Sequence, residues 1–176
     1  WTTGTEIASV LMGVKKNLCR RGSLEALLLA NRHPADSSIL PALQGFVEEL
    51  RGLAGLPRTR LLASPADGSA CKRMHLYLRW MIRCDEIDPG GWNPALGRLL
   101  VVPLDVHMHR MCRALGLTHR KQPDGRAARE VTEAFRGLAP HDPVRYDFSM
   151  TRMGIRGERS LGALLNSATK TGVEER

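Results

Sequence analysis

The amino-acid sequence predicts an all-α fold. Apolar residues recur at i, i+3, i+4 and i+7 along nearly the whole chain, and most of the periodic runs open on a capping residue and close on glycine or proline. The alternating pattern of a half-buried strand is missing. The one strand-like run, 99–104, contains Pro103, which cannot donate to a ladder.

Each helix follows from its own signals. Ile7, Val10, Leu11, Val14 and Leu18 keep helical spacing after Thr5, and Gly22 ends the run. Ser23 caps a short helix through Leu24, Leu27 and Leu28. Ser38 begins a third, with Leu40, Leu43, Phe46, Val47 and Leu50 on one face and Gly55 beyond it. Pro41 falls in its first turn, where a missing N–H does no harm.

Residues 63–70 (ASPADGSA) read as a turn, and a helix over 71–84 follows. Met74, Leu78 and Met81 form its apolar stripe. Lys72, His75, Arg79 and Arg83 share another face, expected to be solvated and suited to gripping phosphate. Residues 85–98 are a loop with two turn signals, Pro89-Gly90-Gly91 and Asn93-Pro94. Asp105 is an N-cap for a helix carrying Met108, Met111, Cys112 and Leu115, closed by Gly116. Asp124-Gly125 opens another through Val131, Phe135 and Leu138, stopped by Pro140. Asp142 as cap and Pro143 at the first position predict a last helix over 144–153.

Composition narrows the function. The chain of 176 residues is 43% hydrophobic, enough for a packed core, and no apolar run approaches the length of a membrane span. Its net charge of +8 is spread along the whole length, which points to a polyanionic partner, with nucleic acid leading. Cys19, Cys71, Cys84 and Cys112 form no C-x-x-C and no finger spacing with histidine, so neither a zinc site nor an iron–sulfur cluster is expected. Reduced thiols in the cytoplasm are the expectation. The chain opens on Trp1 rather than methionine, which suggests that its natural N-terminus is missing.

Two groups carry potential chemistry. Lys72 stands in the first turn of a helix behind a glycine turn, where the macrodipole disfavours a cation and favours the free amine that a nucleophile requires. Asp105 is the reverse, since the same field at an N-cap keeps a carboxylate charged. An amine able to become neutral and a carboxylate held ionised are the parts of a site that cleaves glycosidic bonds. The bland alternative is a capping carboxylate and a solvated lysine. His107 and His109, two residues apart, do not share a helix face, so a metal chelate is not expected and His107 reads as a polar support.

These residues carry a family resemblance. Residues 100–108 (LVVPLDVHM) resemble the V-P-V-D-V-H-M stretch of 8-oxoguanine DNA glycosylases, members of the helix-hairpin-helix superfamily. There the aspartate caps a helix and is catalytic, and a lysine nucleophile follows a glycine hairpin. Residues 68–72 occupy the matching place, although the hairpin keeps one glycine, Gly68, where that family has two or three. More closely, residues 69–83, Gly91-Trp92, 103–107 and 142–148 are similar to a bacterial family catalogued as domain of unknown function 2400.

The resemblance implies a base-excision-repair glycosylase with AP-lyase activity. It would need no cofactor and act on double-stranded DNA holding a damaged purine such as 8-oxoguanine, at the nucleoid. Lys72 and Asp105 inherit the catalytic roles. Gly68, Ser69, Arg73, Arg79 and Arg83 are expected on DNA, while Trp92 and Tyr146 would wall the base pocket, with Trp80 in the core. Residues 1–62 would form a helical layer of an incomplete first subdomain, 63–156 the core with hairpin and aspartate loop, and 157–176 a polar tail. A non-catalytic DNA- or RNA-binding module on the same scaffold, and a helical interaction domain with incidental charge, are the rivals.

Overall fold

The computed structural model describes residues 2–155, all of whose regular structure is helical. The predicted tail lies outside the described residues. α1 (Gly4–Arg21) starts earlier than the pattern suggests, because Thr3 and Glu6 make a reciprocal capping box. The Glu6 N–H donates to Thr3 Oγ1 at 3.2 Å, and the Thr3 N–H donates to Glu6 Oε2 at 2.9 Å. Only part of the predicted apolar stripe packs: Val10 and Val14 lie half-buried against the core. Ile7, Leu11 and Leu18 stand exposed, and Gly13 and Asn17 are the buried positions. At Gly13 a Cβ would sit 3.0 Å from the backbone nitrogen of Ala54, so the missing side chain permits this close approach.

α2 (Leu24–Ala30) is capped by Ser23 as expected. α3 (Leu40–Ala54) lies against both α1 and α2 and buries Leu43, Phe46, Val47 and Leu50. Its N-cap is Ile39 rather than Ser38, whose hydroxyl reaches only the Leu40 N–H, at 3.4 Å. Beyond Gly55 the chain returns through Leu62 to a short 3-10 turn, Pro65–Asp67, capped by Ser64 and closed by Gly68 at φ +71°. Arg51, from the last turn of α3, locks this return: its Nε donates to the Leu62 carbonyl at 2.9 Å and its Nη2 to Asp67 at 2.7 Å.

α4 (Lys72–Ile82) follows, then a loop containing the 3-10 turn Pro94–Leu99. Residues 100–104, beyond that turn, are buried, lie in no helix and pair with no strand among the described residues. Side chains and turns satisfy this backbone instead: Val102 N–H donates to the Thr132 hydroxyl at 3.0 Å, and just ahead of it the Leu99 carbonyl accepts from Ile39 N–H at 2.9 Å.

α5 (Val106–Ala114) and α6 (Gly125–Leu138) begin at Asp105 and Asp124, as predicted. The last helix does not begin where predicted. Asp142 turns its carboxylate to Arg83 instead of capping, residues 139–146 pass through successive turns, and α7 (Asp147–Ile155) starts later. The fold class is all-α, with one hydrophobic core joining α2 through α7. No helix among the described residues is long and apolar enough to cross a membrane.

Candidate functional site

The hairpin delivers the chain to α4 through a strained joint. Cys71 adopts φ +47°, the one non-glycine residue among those described with positive φ. Its N–H is held by Ser69 Oγ at 3.1 Å, and its thiol reaches the Ser69 carbonyl at 3.5 Å. The hairpin is also welded to α6. Gly125 N–H donates to the Gly68 carbonyl at 3.0 Å, and a Cβ on Gly125 would lie 2.9 Å from the Ser69 carbonyl oxygen. Lys72, the first residue of α4, is therefore aimed by a braced segment.

Its amine meets Asp105, 33 residues on, with Nζ donating to Oδ2 at 2.7 Å. The two carboxylate oxygens divide their work, because Oδ1 accepts the Met108 N–H at 2.8 Å as the α5 cap. Asp105 is largely enclosed, with its side chain 17% exposed, while Lys72 remains 42% exposed and open to a ligand. Burial alone would raise the Asp105 carboxyl. The Lys72 ammonium, the Met108 N–H and nearby His107 outweigh it and leave the carboxyl below its usual range. His107 sits exposed in the first turn of α5, beside this pair. Local capping thus fixes each partner, and the tertiary fold unites them.

The expected solvated basic stripe on α4 is corrected. Lys72, His75, Arg79 and Arg83 do share a face, but past the first turn that face points inward. Arg79 is 3% exposed, with Nε donating to Asp88 at 3.0 Å and Nη1 to Asp147. Arg83 binds Asp88, Asp85 at 2.8 Å and Asp142 at 3.1 Å. Guanidinium groups enclosed by their carboxylate partners, with side chains 3% and 12% exposed, are not presented to a phosphate in solvent. Of the predicted DNA contacts, Gly68, Ser69 and Arg73 are exposed beside Lys72, whereas Arg79 and Arg83 brace the scaffold.

The aromatic residues divide as well. Trp92 packs edge-on against Tyr77 with ring centroids 5.6 Å apart, and Tyr146 tilts against Phe135 at 6.2 Å. Neither stacking contact includes Lys72 or Asp105. Trp80, expected in the core, is 46% exposed. Two cations that pattern reading passed over, Arg58 and Arg60, lie exposed in the loop ahead of the hairpin and line an open groove with Arg73. Their R-T-R spacing after Pro57 was the available signal.

A second cavity, about 380 Å³, lies between the hairpin and the N-termini of α3 and α6 and includes His75 in its wall. His75 is enclosed with Nδ1 unpartnered, and burial depresses its imidazole to about 4. The sign of the linkage is direct. Above pH 6.5 the ring is neutral folded and unfolded, and between 6.5 and 4 the unfolded chain binds the extra proton. Stability should fall by about 3 kcal/mol over that interval on this account alone. Chemical denaturation of wild type and His75→Gln should give curves that converge on acidification; a constant difference would refute the assignment.

Among the described residues no group of three or more His, Cys, Asp or Glu side chains is placed to hold a metal ion. No curated protein and no solved structure matches the chain. A family model does match, described as a protein of unknown function (DUF2400), and it covers residues 1–156, taking in the hairpin, Lys72, Asp105 and the acidic partners of Arg79 and Arg83. The chain therefore belongs to the DUF2400 family.

Proposed function

We propose that this protein is a DNA glycosylase with a coupled lyase step, on a scaffold of the helix-hairpin-helix glycosylase kind. The observation that carries the reading is the 2.7 Å contact between Lys72 Nζ and Asp105 Oδ2, which joins a solvent-reachable amine to a shielded anion at two braced helix starts. The +8 charge supports a nucleic-acid substrate.

The damaged purine leaves the stack at a cost of a few kcal/mol, least where it is already poorly paired. Lys72 loses a proton and its amine attacks C1′. The N-glycosidic bond breaks, its electron pair departs with the purine, and the purine takes up a proton. The amine nitrogen gives up its second proton, its lone pair breaks the C1′–O4′ bond, and O4′ takes up a proton as the ring opens to a protonated Schiff base. Loss of a C2′ proton then expels the 3′ phosphate with the C3′–O electron pair. Asp105 stabilises the cationic sugar and draws the ammonium proton toward itself as the amine reacts.

Borohydride reduction during incubation with an abasic duplex tests the reading. Wild type should form a covalent adduct and Lys72→Ala none. An adduct that survives in Lys72→Ala removes Lys72 from the mechanism, and no adduct with wild type removes the lyase step.

A further inference from the structure

An open groove of about 910 Å³ lies between the first turn of α4, where Arg73 follows Lys72 in sequence, the loop over 56–64 and the start of α1. Four arginines and two carboxylates line it. Both carboxylates are already engaged: Glu6 closes the α1 capping box, and Asp67 binds Arg51 at 2.7 Å. Arg58, Arg60 and Arg73 remain. All three are exposed, and none takes part in an ion pair among the described residues.

The loop that carries Arg58 and Arg60 is tied to the helices on either side of it. Arg73 Nη2 donates to the Arg60 carbonyl at 2.8 Å, which ties the loop to α4. Arg51 ties the same loop to α3 through the Leu62 carbonyl. Like charges gathered on a fixed edge repel one another unless water, salt or a bound anion screens them. An extended polyanion satisfies all three together and releases its own counterions as it binds.

We infer that Arg58, Arg60 and Arg73 form the phosphate track for the DNA strand whose nucleotide reaches Lys72. This inference deepens the glycosylase reading and rests on it for the identity of the polyanion. It also moves the phosphate contacts from the buried face of α4 to the loop ahead of the hairpin. Arg58 and Arg60 position the strand and take no part in the bond-breaking steps.

Fluorescence anisotropy with an undamaged duplex, titrated across a salt series, tests the track. Each phosphate contact contributes about 0.9 to the slope of log affinity against log salt. The exposed pair Arg58→Ala/Arg60→Ala should lower that slope by about 2 and weaken binding about tenfold or more in low salt. Lys15→Ala/Arg20→Ala removes equal charge from exposed positions in the C-terminal half of α1 and should leave the slope unchanged. Thermal melts establish that both variants fold.

Equal losses in the two variants, an unchanged slope in Arg58→Ala/Arg60→Ala, or no duplex binding by wild type each overturn the track. The glycosylase reading fails by different readouts, no borohydride adduct and no base released from damaged duplexes by wild type. A slope that responds to Arg58 and Arg60 without adduct or base release leaves the track standing and removes the chemistry. An adduct with an unresponsive slope does the opposite.

Discussion

Arg79→Met should remove about 3–5 kcal/mol of folding stability. Methionine approximates the length and apolar stem of arginine, so packing is nearly kept and the charge alone is lost. What it leaves behind is the problem. Asp88 is fully buried and Asp147 is 4% exposed, so neither can recover its hydration. Burial already pushes the Asp147 carboxyl up against the pull of Arg79, and nearby Asp105 adds to that push. Asp88 retains Arg83, but among the described residues Asp147 keeps only the Thr151 hydroxyl, at 3.5 Å.

Urea melts should show the midpoint falling with little change in slope, since the unfolded surface is nearly the same. Adding Asp147→Leu to Arg79→Met should recover part of the loss by removing the orphaned carboxylate, and the double-mutant cycle measures the coupling. A loss below about 1 kcal/mol in Arg79→Met would show that the cluster is solvated after all.

Asp105→Asn should reduce base excision about 10²- to 10³-fold while leaving stability close to that of wild type. Asparagine caps a helix as well as aspartate does, so the Met108 N–H keeps an acceptor and α5 keeps its start. The lost charge is the one that would face the cationic sugar. Asp105→Ala removes the cap too and should cost about 1 kcal/mol more. Single-turnover excision across a panel of damaged duplexes, run beside thermal melts, separates the two roles. Full activity in Asp105→Asn would exclude the carboxylate charge from the chemistry, whatever happens to the alanine variant.

Features that depend on a few consecutive residues were legible in the sequence. Ser23, Asp105 and Asp124 cap the helices that pattern assigned to them, because an N-cap acts over three residues. The candidate pair was legible for the same reason, as each member sits at a recognisable helix start. Features that depend on partners far along the chain were hidden. Arg79 looks solvated until Asp147, 68 residues away, is folded against it, and Arg83 hides Asp142 from its predicted role as a cap at a separation of 59.

Burial on α1 failed in the opposite direction. Val10 and Val14 pack as their spacing suggests, but Ile7, Leu11 and Leu18 stay exposed, and the closest contact with α3 is made where Gly13 lets two backbones approach. Hydropathy weighs side chains and carries no information about how near another helix can come. Arg58 and Arg60 were overlooked because a loop has no period to read, and the Arg73–Arg60 contact reveals that their loop belongs with α4.

The left-handed backbone at Cys71 sets stability against aim. Holding a residue with a Cβ in that conformation costs on the order of 1 kcal/mol, which glycine would not incur. A glycine here would relax the torsion, give up a thiol that is buried in the core, and widen the directions in which the next residue can leave the joint. The torsion works like a spring clip: releasing it leaves the ammonium at 72 less well pointed.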